Sequence, residues 1–419
     1  MGPMVSADDI DRAARGLDGV ARRTPLERNA RLEARTGATV WIKREDLQVV
    51  RSYKLRGAYT LIAGLSPQAR ASGVVCASAG NHAQGVAYSC LALGVRGRIF
   101  VPRTTPRQKL ERISVLGGDA VHTIVVGDTY DEANVAAAAE AQASGGVLVP
   151  PFDDLRTIAG QGTVVAEAVE QLGSAPDLVV VPLGGGGLAA GTAAWLRDRC
   201  PHTRIVGVEP AGAASMSAAL DAGRPVTLDT IDTFVDGAAV RRVGDLTFPL
   251  VRDHVSRVVT ADEGAVCTEM LDLYQSDGII AEPAGALATA ALPNLDLADL
   301  DVAGATVVCV ISGGNNDVSR YGDVVERSLV HRGLKHYFLV DFPQEPGALR
   351  RFLDEVLGVD DDITLFEYVK KSNRETGPAL VGIELQSPAD LAPLLERMDH
   401  SPLQMQRVPP GSPLFTFLF

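Results

Sequence analysis

Lys43-Arg-Glu-Asp-Leu-Gln-Val-Val-Arg-Ser-Tyr-Lys54-Leu-Arg-Gly-Ala58 holds two of the six lysines in a chain of 419 residues. Arginine outnumbers lysine 33 to 6, and no lysine stands between Lys109 and Lys335. A chain so poor in lysine has few places for amine chemistry. Lys54 falls between a predicted strand and a predicted helix, where a side chain can point into a cleft. A lysine amine is the group that forms a Schiff base with an aldehyde, and burial lowers its pKa enough to free the lone pair. Taken alone, the stretch is better explained as a solvated lysine at a helix start. Three further segments reverse that reading.

In Cys76-Ala-Ser-Ala-Gly-Asn-His-Ala-Gln-Gly85 a strand over 73–77 runs through a Gly-Asn turn into an apolar helix over 83–93. The free N–H groups and positive dipole end of such a helix suit a carboxylate or phosphate. In Leu178-Val-Val-Val-Pro-Leu-Gly-Gly-Gly-Gly-Leu188 a buried strand ends in four glycines before another helix. Glycines let a backbone approach an anion closely, and successive N–H groups form a nest. The same run fits a relaxed dinucleotide fingerprint, Gly185-x-Gly187-x-x-Ala190, with Glu209 ending the next strand. In Val307-Val-Cys-Val-Ile-Ser-Gly-Gly-Asn-Asn316 an apolar strand delivers Ser312 and two glycines at its C-terminal end, the side on which open α/β sheets bind ligands.

Together these segments resemble the threonine dehydratase family of pyridoxal-phosphate enzymes, of the tryptophan-synthase-β-like fold type. The resemblance runs from about Asp8 to Arg320. Its motifs are Ser52-Tyr-Lys-Leu-Arg-Gly-Ala58, Ser78-Ala-Gly-Asn-His-Ala-Gln-Gly85, Pro151-Phe-Asp-Asp154, Ala159-Gly-Gln-Gly-Thr163, the glycine run, Glu282-Pro-Ala-Gly-Ala286 and Ser312-Gly-Gly-Asn315. All occur in the family's order and spacing, and the dinucleotide reading gives way to them. The resemblance implies that Lys54 carries pyridoxal 5'-phosphate and then removes the substrate's Cα proton. It implies that Tyr53 lines the cofactor and that Asn81 meets its ring hydroxyl. Gly184, Gly185, Gly186, Gly187 and Leu188 would cradle the phosphate, and Ser312 would face the ring nitrogen. Ser78, Ala79, Gly80, Asn81 and His82 would hold the substrate carboxylate, with no proton-transfer role for His82. The implied reaction is β-elimination of L-threonine to 2-oxobutanoate and ammonia, the first step towards isoleucine.

Two positions narrow the choice. Serine racemases resemble this core but carry a serine base where Ala79 stands here. They also hold a divalent metal after the strand ending in Glu-Pro, where this chain reads Glu209-Pro-Ala-Gly-Ala-Ala-Ser215 with a single carboxylate. Both departures favour a metal-free dehydratase. A serine or hydroxyaspartate dehydratase or racemase is the alternative, and an amino-acid sensor with a degenerate core is a third reading.

Short Val/Ile-rich strands over 39–42, 98–101, 120–125, 178–181, 204–208 and 306–311 alternate with helices, so the expected core is α/β with parallel sheets in two lobes. The smaller lobe is placed near 55–150, within a catalytic domain of residues 1–326. A charged break over 327–335 precedes a second domain, 336–419, with a β-α-β-β-α-β order: strand 336–342, helix 347–357, strands 363–370 and 378–385, helix 388–398 and strand 403–408. That order is ferredoxin-like. Its turn Pro343-Gln-Glu-Pro-Gly-Ala-Leu349 resembles amino-acid-binding ACT-like regulatory domains, which implies isoleucine, or valine, as an effector.

A net charge of −13 disfavours nucleic acid and anionic membranes as partners. The cysteines, five and scattered, form neither a metal spacing nor a disulfide framework, which fits a reducing cytoplasm. No apolar run is long enough to span a membrane, and no stretch reads as a secretory leader. The family implies a homo-oligomer, a tetramer.

Overall fold

The structure, a computed structural model, describes residues 4–302, 304–368, 370, 374–410, 412 and 414–415. It divides into two compact units, Met1–Asn316 and Asp317–Phe419.

The first unit contains two sheets. The larger runs Leu26–Arg28, Thr39–Arg44, Thr306–Ile311, Leu178–Pro182, Arg204–Pro210 and Arg257–Ala261. Only its first pair is antiparallel. Its central strands are apolar throughout because helices cover both faces, as parallel sheets require. The smaller sheet runs Val121–Val125, Gly97–Val101, Val74–Ala77 and Val147–Leu148, all parallel. Each sheet has its own core. Val179, Val181, Val308 and Val310 pack with helix Gly187–Arg199 in one. Val74, Cys76 and Ile99 pack with Leu55, Ala58, Leu61 and Ile62 of helix Lys54–Ala63 in the other. The helix that begins at Lys54 is thus part of the small lobe, while the strand before it, Thr39–Arg44, belongs to the large sheet.

Glycines set the distance between the lobes' helices. A Cβ on Gly57 would lie 2.8 Å from Thr157 O, and one on Gly160 would lie 2.4 Å from Arg56 O. A Cβ on Gly162 would lie 2.8 Å from Gly191 O, and one on Gly191 2.6 Å from Gly162 N. Helices Lys54–Ala63, Leu155–Leu172 and Gly187–Arg199 therefore touch backbone to backbone. The Ala159-Gly-Gln-Gly-Thr163 motif is the middle member of that stack.

Helix Asn81–Leu93 starts two residues before its expected 83, with Gly80 as its N-cap. Asn81 and His82 are hence in the first turn, among the donors without an intrahelical acceptor.

In the second unit four antiparallel strands run in the order Asp362–Tyr368, Thr376–Glu384, Lys335–Pro343 and Gln404–Val408. With helices Ala348–Glu355 and Leu391–His400 this is the ferredoxin-like arrangement. Its core packs Phe338, Val340, Phe342 and Phe352 against Val381, Ile383 and Leu394. The division between units falls before helix Tyr321–His331. Glu326 on that helix accepts from Lys335 Nζ at 2.6 Å and from the Tyr337 hydroxyl, both on the second unit's first strand. Among the described residues no helix is long and apolar enough to cross a membrane.

Candidate active site

Lys54 stands where the large sheet hands the chain to the small lobe. Ser52 bridges to Gly313, and the Tyr53 N–H donates to Ser312 O at 3.1 Å. Helix Lys54–Ala63 begins there with no side-chain cap. The Lys54 amine donates to Pro151 O at 3.1 Å. Burial pushes its pKa down to about 8, against an opposing pull from the Glu282 carboxylate. A neutral amine is therefore accessible near physiological pH. Burial raises the Tyr53 hydroxyl's pKa well above its usual value, so that side chain stays neutral, and its ring centroid lies 5.3 Å from the Lys54 amine.

The other lysines of this unit are engaged elsewhere. Lys43 Nζ donates to Thr24 O at 2.7 Å, Glu167 Oε1 at 2.5 Å and Gln171 Oε1 at 2.7 Å. Arg56 joins the same buried cluster through Glu45 at 2.8 Å and Glu167 at 3.1 Å. Lys109 pairs with Asp236 at 2.7 Å. Of the three, Lys54 alone points its amine at the Pro151 segment.

Pro151 and Phe152 link the lysine to the glycine loop. A Cβ on Gly185 would sit 2.3 Å from the Phe152 ring, and one on Gly187 2.9 Å from Phe152 Cβ. A Cβ on Gly184 would meet Ala238 O at 2.7 Å, and one on Gly186 Thr247 Oγ1 at 2.8 Å. Gly186 also has φ +92°, which favours glycine. The Thr247 hydroxyl donates to Gly185 O at 2.7 Å and fixes the loop. Helix Gly187–Arg199 follows with no side-chain cap, and Leu188 lies in its first turn. The result is a side-chain-free cradle of backbone N–H groups at a helix N-terminus, which fits a phosphate. Glu209 does not serve a ribose: its carboxylate accepts from Met216 N at 2.6 Å, Ser217 N at 2.9 Å and Ser217 Oγ at 2.7 Å.

Ser78, Ala79 and Gly80 form the turn from strand Val74–Ala77 into helix Asn81–Leu93, and Ser78 Oγ accepts from Gly80 N at 3.3 Å. His82 Nε2 lies 2.8 Å from Val149 O, and since a carbonyl only accepts, that nitrogen carries the hydrogen. Burial, with the Lys54 charge nearby, pushes the imidazole's pKa down to about 3, so His82 is neutral. Ser312 is buried, and its hydroxyl donates to Ala284 O at 3.3 Å. Asn81, Glu282 and Asn315 share one network. Asn81 Nδ2 donates to Glu282 Oε1 at 2.5 Å, Asn315 N donates to Glu282 Oε2 at 3.1 Å, and Asn315 Nδ2 donates to Asn81 Oδ1 at 2.7 Å.

Glu282, quoted above only as part of a motif, is a further residue of this site. Burial and the Asp236 charge push its carboxyl up to about 7, while bonds from Asn81 and Asn315 oppose that rise. The local signal is present: a carboxylate directly before Pro283, at the start of a helix whose residues are all buried. A Cβ on Gly313 would meet Glu282 Oε1 at 2.3 Å, and one on Gly285 would meet Gly313 O at 2.2 Å, so the motif glycines make room for this carboxylate.

The second unit carries a separate groove of about 560 Å³. Phe342, Phe366 and Tyr368 give it an aromatic wall, the turn at Gly347 forms one end, and Lys370 supplies a cation. Gly347 has φ +89° and precedes helix Ala348–Glu355. Among the described residues no group of three or more His, Cys, Asp or Glu could hold a metal ion.

Residues 17–313 match the family model described as "Pyridoxal-phosphate dependent enzyme", and residues 326–418 match "C-terminal regulatory domain of Threonine dehydratase". The biosynthetic L-threonine dehydratase of Mycobacterium bovis is 62% identical over 417 residues, covering 99% of this chain and 96% of that protein. The Bacillus subtilis protein of that name is 49% identical over 415 residues, covering 99% and 98%. Among solved structures, the processed form of threonine deaminase isoform 2 from Solanum lycopersicum has a TM-score of 0.71 at 37% identity, covering 78% of this chain and 95% of that one. Maize serine racemase has a TM-score of 0.72 at 30% identity, covering 78% and 99%.

Proposed function

The chain belongs to the pyridoxal-phosphate-dependent threonine dehydratases, and we propose how its residues divide the work of that reaction. The enzyme converts L-threonine to 2-oxobutanoate and ammonia. Pyridoxal phosphate, when bound, supplies the electron sink that makes the Cα–H bond of threonine acidic. Lys54 would carry it, and its amine would be the base that takes the Cα proton. The N–H groups of Gly184, Gly185, Gly186, Gly187 and Leu188 would receive the phosphate. The spare N–H of Asn81 would meet the ring oxygen, Tyr53 would line the cofactor, and the Ser312 hydroxyl would face the ring nitrogen. The turn of residues 78–82 receives the substrate carboxylate at the N-terminus of helix Asn81–Leu93. A hydroxyl at Ser312 would not favour a protonated ring as a carboxylate would, which would suit elimination over return of the proton to Cα. Ala79 offers no second base, which supports elimination over racemisation.

One observation carries this reading. The Lys54 amine lies at Pro151 O, and the next residue, Phe152, packs into the glycine loop, so the amine and the cradle are one residue apart along a single segment. The test is a 2-oxo acid assay of the purified protein with threonine and with serine, each with and without isoleucine and valine.

The second unit is read as the sensor. Isoleucine, with valine as a weaker analogue, would place its side chain against Phe342, Phe366 and Tyr368, and its carboxylate near Lys370 and the Gly347 turn. Binding there lowers activity. The enzyme is read as cytoplasmic, since four of its five cysteines are buried free thiols, and as a homotetramer, which light scattering would test.

A further inference from the structure

We propose that Glu282 is a positioning residue that fixes Asn81 as a hydrogen-bond donor to the cofactor's ring oxygen and so favours the deprotonated form of that oxygen. The inference rests on the placing of Asn81 proposed above.

The argument starts from Val50. Its carbonyl accepts from Asn315 Nδ2 at 2.9 Å, and a carbonyl cannot donate, so the nitrogen end of the Asn315 amide is fixed. The same nitrogen gives its other hydrogen to Asn81 Oδ1 at 2.7 Å. That fixes the oxygen end of the Asn81 amide. Asn81 Nδ2 then gives one hydrogen to Glu282 Oε1 at 2.5 Å. Glu282 is itself held, since its Oε2 accepts from Asn315 N at 3.1 Å and Glu282 N donates to Gly313 O at 3.1 Å. Asn81 is left with one N–H, and nothing in this ring of bonds lets the amide turn over. What its nitrogen end has left to offer is a donor.

The sign of the effect separates this role from a bystander charge. A donor at the ring oxygen stabilises the oxyanion and lowers the pH at which it forms. A nearby carboxylate, by its charge alone, raises that pH. Lys54, Tyr53, Asp236 and Lys109 are the other titratable groups that act on or feel Glu282, and all are unchanged in the variants below.

The experiment loads the enzyme with pyridoxal phosphate and follows cofactor absorbance against pH, with near-ultraviolet circular dichroism as the folding control. Glu282→Ala removes the acceptor at Asn81 Nδ2 and leaves the amide held at its oxygen end alone, so its N–H groups can swing off the ring oxygen. The expected result is a titration midpoint raised by one pH unit or more, about a tenfold loss in the favoured ionisation. The rise should vanish when Glu282→Ala is made in an Asn81→Ala background. Asn315→Ala, which removes the lock from the other side, should raise the midpoint as well, and it keeps the test open if Glu282→Ala does not fold. A midpoint that falls or stays put in the folded single variants overturns the proposal. An unchanged midpoint in Asn81→Ala alone overturns the placing of Asn81 instead, and the inference with it.

Discussion

The N–H of Tyr53 donates to the carbonyl of Ser312 at 3.1 Å. The residue before the lysine and the serine at the end of the central strand are thus tied through main chain, with no side chain intervening. Substitutions at Lys54 or Ser312 leave this bond in place. Chemistry can therefore be altered at either position without moving the other.

Lys54→Ala should leave a folded protein whose turnover falls by at least about 10²–10⁴-fold, the usual contribution of a positioned proton-transfer group. Cofactor absorbance typical of a lysine linkage should disappear with it. Borohydride reduction followed by peptide mapping checks the assignment. A reduced adduct on Lys43 would contradict it, and the salt-bridged burial of that amine argues that none will form.

Ser312→Asp should retain the cofactor yet lose elimination out of proportion to substrate binding. A carboxylate promotes protonation of the ring and stabilises charge at Cα, so more substrate returns by reprotonation. Exchange of the Cα hydrogen with deuterated solvent, measured beside 2-oxobutanoate release, gives the partition. An unchanged ratio would remove Ser312 from the ring nitrogen.

Gly185→Ala puts a methyl group 2.3 Å from the Phe152 ring. Overpacking of this kind costs about 1–3 kcal/mol. Because the strain falls on the loop, we expect weakened cofactor affinity, by about tenfold or more. Fluorescence titration of the apoenzyme with pyridoxal phosphate measures it. Phe152→Leu in the same chain should recover part of the loss.

Capture of the cofactor by the apoenzyme should depend on pH through Lys54. The neutral amine is the reactive form, and burial sets its pKa near 8. The capture rate should climb about tenfold per pH unit below that value and level off above it. Removing the Glu282 charge, which raises the Lys54 pKa, should move the bend to lower pH. A bend near the ordinary lysine value would mean that the amine is solvated.

Isothermal calorimetry on the intact protein should detect isoleucine, and Lys370→Ala should weaken it. The coupling to threonine is expected at about 1–3 kcal/mol, roughly 5–150-fold in affinity. It must be reciprocal, so saturating threonine should weaken isoleucine by the same factor. Silence from both isoleucine and valine at millimolar concentration would reduce the groove to a structural feature.

The strands that hold the site were legible where both faces are covered. Thr306–Ile311 is apolar and buried from Val307 onwards, so pattern and fold coincide. The strands that were missed lie at edges or are very short. Arg257–Ala261 is an edge strand with mostly half-buried residues, and Leu26–Arg28 and Val147–Leu148 have three and two residues. Lys54, the glycine run and Ser312 stood out because residue type alone limits what each can do. Glu282 did not, because its meaning lies in a bond to a residue 201 positions away. The role of the Ala159-Gly-Gln-Gly-Thr163 segment was hidden for the same reason: its glycines answer to Gly57 and Gly191.

The Gly57–Gly160 and Gly162–Gly191 contacts carry a consequence for anyone redesigning this enzyme. Side-chain contacts can be retuned by swapping one residue for a larger or smaller one, but this spacing contains no side chain to swap. A mutagenesis library aimed at substrate choice should therefore hold these four positions fixed and spend its diversity on the walls of the cleft. Recombination between relatives should likewise keep the three helices from one parent, because Lys54 begins one of them, the glycine run leads into another, and the third lies between them backbone to backbone.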